Sequence, residues 1–194
     1  MSETPLIDMP LRGFLERLGS VEPTPGGGAA AALAGAMGAS LGRMVCELTR
    51  GPRFAPVAEQ IDQLADQFGR TAAVLRRLVD EDAYAYQGLS AALKLPKDDA
   101  TRAARLRESA TLAASVPLQV AVLSRATIGD IERLRPIANP NLTADVTSAA
   151  ALSHAAIVAA CANVEANLPF VDDALRPKLA AELAGLVAFA NEAR

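Results

Sequence analysis

Pro23-Thr24-Pro25-Gly26-Gly27-Gly28-Ala29 opens a run of almost pure alanine, glycine and leucine that continues to Leu48-Thr49. Proline pre-sets the backbone for a first helical turn, and glycine allows another group to come close to the main chain. The free N–H groups of such a helix start suit a carboxylate or phosphate. The same pattern also describes a loop followed by a tightly packed core helix, so the stretch alone leaves both readings open.

Working outward, composition points to the same architecture. The 194 residues fit a single domain, 1–194, with a good core. Apolar residues make up 51% of the chain but aromatics only 4%, so the core is built from alanine and leucine. Small side chains let helices approach closely, and the expected fold is all-α: an antiparallel bundle of about six helices. A net charge of −3 offers no basic footprint for nucleic acid. Cys46 and Cys161 make neither a disulfide framework nor a zinc site and read as buried thiols of a cytoplasmic protein. The amino terminus shows no basic-then-apolar targeting pattern. The uncharged stretch 146–164 reaches membrane-span length, but its Thr147, Ser148, Ser153, His154 and Asn163 favour a buried helix, so no membrane partner is expected.

Periodicity and breakers predict helices over residues 11–18, 29–50, 56–93, 98–135, 143–168 and 174–193, with no strand. Asp98-Asp99 suit the positive end of the fourth helix, and Pro117 is expected to kink it midway. In the third helix Ile61, Leu64, Phe68, Ala72, Leu75 and Val79 form an apolar stripe. At 100° per residue Asp82 points along that stripe, Tyr86 shares its face, and Asp80 and Glu81 point toward water. A carboxylate on an apolar stripe is costly unless paired or functional; alternatively the stripe ends before it and Asp82 is solvated. On the fifth helix Asp145, Ala149, Leu152, Ala156, Ala159 and Asn163 fall on one line that Asn167 extends. Asp145 also suits a first-turn charge, and Asn167 a helix end. His154 reads as a packed interior or interface residue.

Antiparallel packing through short turns places Gly28 at the level of Val79 and Asp82, with the Lys94–Lys97 turn just beyond. The Asn163/Asn167 end of the fifth helix returns to the same place, while Asp145 lies about 27 Å from Asn163, at the far end. A symmetric antiparallel dimer would bring the partner's Asp145 end to this cluster.

The ordered set TPGGG at 24–28, MVCELT at 44–49, DEDAYAY at 80–86, KLPK at 94–97, ASVPL at 114–118, NPNLTADV at 139–146 and NVEANL at 163–168 resembles the cyclodeaminase/cyclohydrolase family. That family includes the carboxy-terminal domain of formiminotransferase-cyclodeaminase and stand-alone methenyltetrahydrofolate cyclohydrolases. The resemblance implies an all-helical fold, a homodimer or higher assembly, a tetrahydrofolate derivative as substrate, no further cofactor and no metal. It implicates Gly26, Gly27 and Gly28, Asp82 with Tyr86, and Lys97, Asn139, Asp145, Asn163 and Asn167. Tyr86 stands where phenylalanine is common in the family, and Ala138 replaces a glycine usual before Asn139, making that turn less permissive.

The substrate so implied is a delocalised cation across N5, a bridging carbon and N10. A desolvated carboxylate would hold it and take a proton from an attacking water. Asp82 is the expected base or electrostatic partner, and Lys97 or Asp145 the proton donor or orienter. Asn163 and Asn167 would bind the pterin edge, Tyr86 would stack, and the glycines would receive a tail carboxylate. Three functions follow: hydrolysis of 5,10-methenyltetrahydrofolate, favoured by a stand-alone chain; ammonia release from 5-formiminotetrahydrofolate; and a non-catalytic folate-binding helical dimer.

Overall fold

A computed structural model describes residues 4–192. Six α-helices and four short 3-10 turns account for its regular structure, with no strand among the described residues. The helices are α1 (Leu11–Leu18), α2 (Gly27–Leu48), α3 (Ala58–Lys94), α4 (Arg102–Leu134), α5 (Thr143–Asn167) and α6 (Arg176–Glu192). The expected all-helical bundle is therefore present, and α1 and the start of α5 fall where periodicity put them. The end expected for the sixth helix, Ala193, lies outside the described residues.

Most of the other boundaries differ by one or two residues, and the start of α4 by four, for an identifiable reason. α2 starts at Gly27, inside the glycine run. α4 begins at Arg102 rather than at Asp98-Asp99, because the Asp99 carboxylate accepts from both the backbone N–H and the hydroxyl of Thr101, 2.7 Å each. That local turn competes with helix and delays its start. Gly51, at φ 103°, turns the chain out of α2, a conformation that favours glycine.

α2 is the axis of the bundle, and glycine sets how closely its neighbours approach. A Cβ on Gly42 would lie 2.7 Å from the Phe68 ring, and one on Gly35 would lie 3.3 Å from Leu75. One on Gly28 would lie 2.0 Å from the Asp82 carboxylate. Each step of seven up α2 thus meets a step of seven down α3, which is antiparallel packing with a heptad seam. On another face Gly38 meets Ser153 and Gly27 meets Asn163, so α5 also runs antiparallel to α2. α4 closes the four-helix arrangement against α3 and α5, and α6 lies across α4 and α5.

The stripe residues Ile61, Leu64, Phe68 and Leu75 are fully buried, as is Ile157 of α5. Three segments, Gly27–Leu48, Arg102–Leu134 and Pro140–Phe170, are long and apolar enough to cross a bilayer by length and composition, where the sequence reading singled out only one. Here they pack on one another. His154 is half-buried and bonds through Nε2 to the Ala190 carbonyl at 2.7 Å, tying α5 to α6. Asp80 departs from its expected solvent-facing position. Its carboxylate accepts the Leu6 backbone N–H, so the amino-terminal segment covers it. Glu81 does lie at the surface, 2.8 Å from Arg77.

Candidate active site

The register of α2 against α3 and α5 gathers polar groups at one end of the bundle. There a cavity of about 160 Å³ opens between the start of α2 and the later parts of α3 and α5. It is lined by Gly26, Gly27, Gly28, Asp82, Tyr86, Asn163 and Asn167, together with Pro23, Thr24 and Ala113. No lysine, arginine or histidine is among these lining residues.

Asp82 is half-buried on α3, directly over the Gly28 backbone. Only glycine at 28 leaves room for that carboxylate, since even a methyl group would overlap it. Burial pushes its pKa up from 3.8 to about 6, partly offset by a hydrogen bond accepted from the Ala29 backbone N–H. That N–H is one of the four at a helix start that lack an intrahelical partner, so the helix end supplies the one favourable contact the carboxylate has. A carboxylate in this setting is short of positive charge.

The two amides opposite are each held by one hydrogen bond. Asn163 Nδ2 donates to the Ala159 carbonyl of its own helix at 2.8 Å, with the side chain laid against Gly27. Asn167 Nδ2 donates to the Ala113 carbonyl of α4, also at 2.8 Å. Tyr86, 45% exposed, forms part of the rim.

The remaining candidates lie elsewhere in the chain. Lys97 is exposed in the turn after α3 and does not line the cavity. Asp82 itself is 12 residues before the end of α3, about 18 Å along the axis. Asn139 and Asp145 sit at the opposite end of the bundle. The Asn139 backbone N–H donates to Thr49 Oγ1 at 3.1 Å, next to the end of α2, and its side chain accepts from Asn141 N–H to shape the turn into α5. Asp145 is in the first turn of α5, half-buried. Sequence reasoning did not single out Thr24 and Ala113 as cavity residues. The ASVPL stretch flags Ala113 only by adjacency, while Thr24 lies within the TPGGG stretch itself, next to the glycines that were singled out.

Comparison with known proteins shows the family. Residues 10–184 match the family model described as formiminotransferase-cyclodeaminase. The methenyltetrahydrofolate cyclohydrolase of Methylorubrum extorquens is 35% identical, over 92% of this chain and 88% of that protein. The formimidoyltransferase-cyclodeaminase of Sus scrofa is 34% identical over 95% of this chain, which spans only 35% of that longer protein. The crystal structure of formiminotetrahydrofolate cyclodeaminase from Thermotoga maritima superposes with a TM-score of 0.86, at 27% identity, covering 96% of this chain and 92% of that one. With the match running through nearly every helix, this chain belongs to the formiminotransferase-cyclodeaminase family.

Proposed function

We propose that this chain hydrolyses 5,10-methenyltetrahydrofolate to 10-formyltetrahydrofolate, with Asp82 as the base. The observation that carries the proposal is the Asp82 carboxylate itself, shielded, raised toward pH 6 and without a cationic neighbour in its cavity. A bound amidinium ion supplies the missing positive charge and stabilises the ionised form. Water adds to the bridging carbon while Asp82 takes its proton. The carbon–N5 bond then breaks as N5 is protonated and the hydroxyl proton leaves, so one substrate cation and one water give the formyl product and one proton. The length and identity shared with the bacterial cyclohydrolase support hydrolysis.

The cavity is smaller than the roughly 300–1,000 Å³ of a typical ligand site. It has room for a ring system, and the rest of the substrate extends past the rim. In our reading a homodimer completes the site, the partner subunit's Asp145 approaching the Asp82 cavity, with Lys97 or Asp145 as the proton donor. Tyr86 stacks on the bound ring and the Gly26–Gly28 backbone receives a carboxylate of the tail. The protein so read is cytoplasmic and needs no metal or further cofactor.

Cyclodeaminase activity is the second reading, favoured by the Thermotoga maritima likeness. There N10 attacks the carbon of the protonated formimino group, Asp82 accepts the N10 proton and passes it to the formimino nitrogen, and that nitrogen leaves as ammonia to give the methenyl cation. The purified protein decides between them. Loss of methenyl absorbance without ammonia release from the formimino substrate supports hydrolysis, and the converse result replaces it with the deaminase. Turnover of neither substrate, with a folate still bound, leaves a binding protein.

A further inference from the structure

ASVPL at 114–118 places a proline in the interior of α4, and Pro117 is buried there. A proline has no backbone N–H, so the carbonyl four residues earlier loses its helical partner. That carbonyl belongs to Ala113, which lines the cavity and receives the Asn167 amide at 2.8 Å. A carbonyl oxygen only accepts, so the group of Asn167 facing it has to be Nδ2. Oδ1 is then left without a partner among the described residues, on a side chain that lines the same cavity. Asn163 is set alike, with Nδ2 held by Ala159 and Oδ1 free. Together with the Asp82 carboxylate, the side chains of α3 and α5 thus present three acceptor groups.

We propose that Pro117 is a positioning residue for the site. By withholding an N–H it hands the Ala113 carbonyl to Asn167, and so fixes that amide with its oxygen as an acceptor for a ligand edge bearing adjacent N–H donors. Resting on the folate reading above, the matching edge is the amino group and neighbouring ring N–H of an aminopyrimidinone. A ring without the amino group leaves one of these acceptors unpaired in the complex and binds less well.

Pro117→Ala tests this, because it restores an N–H that competes for the Ala113 carbonyl. Thermal stability is expected to hold or rise, since a proline leaves a helix interior. In the ligand-free protein, the side-chain amide cross-peak assigned to Asn167 by its loss in Asn167→Ala is expected to move. Affinity for 5-formyltetrahydrofolate is expected to fall about fivefold, with the kinetic loss in KM rather than kcat. In an Asn167→Ala background the same proline change is expected to alter affinity less than about twofold, because it acts through that amide. The parent is expected to bind a second probe, the 2-desamino analogue of 5-formyltetrahydrofolate, about fivefold less well, and Pro117→Ala to lose that preference.

A stationary Asn167 cross-peak overturns the positioning role. A shifted cross-peak with unchanged affinity and unchanged amino-group preference overturns the assigned ligand edge. If the parent binds neither probe, the folate reading and the assigned edge both fall, while a shifted cross-peak still establishes the Pro117–Asn167 relation.

Discussion

Replacing Asp82 with asparagine is expected to stabilise the fold while abolishing catalysis. The carboxylate titrates near 6 in the folded chain against 3.8 ordinarily, a difference of roughly two pH units caused by burial. Each unit corresponds to about 1.4 kcal/mol, so full ionisation costs the fold up to about 3 kcal/mol at pH 8. Water at the cavity mouth screens part of this, and about 1–3 kcal/mol is the expected gain. Between pH 4 and 6 the folded chain keeps a proton on Asp82 that the unfolded chain has released. Stability is therefore lost as pH rises through that window. Asp82→Asn removes the loss and keeps an oxygen for the Ala29 N–H. Its melting temperature should match the parent near pH 4, diverge from pH 4 to 6, and stay higher by roughly 3–8 °C at pH 8. Methenyl hydrolysis should fall at least about 100-fold in the same protein. A variant that melts below the parent at pH 8, or by a margin independent of pH, refutes the electrostatic account. Turnover within a few-fold of the parent refutes the chemical one.

Since the ionised carboxylate is the proposed base, kcat/KM should rise with pH through about 6 and level off above it; a flat profile from pH 5 to 8 removes Asp82 from that role. Gly28→Ala, whose Cβ would overlap the Asp82 carboxylate, should abolish turnover by expelling that side chain, readable as loss of activity with the helical circular dichroism retained. Gly42→Ala, against the Phe68 ring, should instead cost about 1–3 kcal/mol in urea unfolding, because the ring is locked in the core. Hybrids of inactive Asp82→Asn and Asp145→Asn chains should recover part of the parent activity if two subunits share a site, since one of the two shared sites is then intact; mixtures as inactive as their components exclude that arrangement. Gly185→Ala, in α6 with open space around the added carbon, should raise stability by up to about 1 kcal/mol.

Local pattern carried most of the architecture. The apolar stripe of α3 is a periodic signal, and periodicity survives folding because burial rewards it directly. Helix lengths and antiparallel packing through short turns then put Gly28 at the level of Asp82, where the two do meet. Asp80 was harder to read. It lies two residues from Asp82 on a different face, and its partner is a backbone N–H 74 positions away, at Leu6. Helix starts were also less legible where a side chain competes with the backbone, as Asp99 does before α4.

From sequence alone came the helical class, the apolar stripe of α3 and the polar residues set on otherwise apolar faces, since each depends on neighbours within a few turns. Tertiary structure decided how crowded the Asp82 carboxylate is, which way the Asn163 and Asn167 amides face, and that the Ala113 carbonyl Pro117 leaves open is met by a residue 54 positions later. Those are properties of atoms brought together from separate helices, and the hydrogen bonds and desolvation that govern them exist only once the helices have packed.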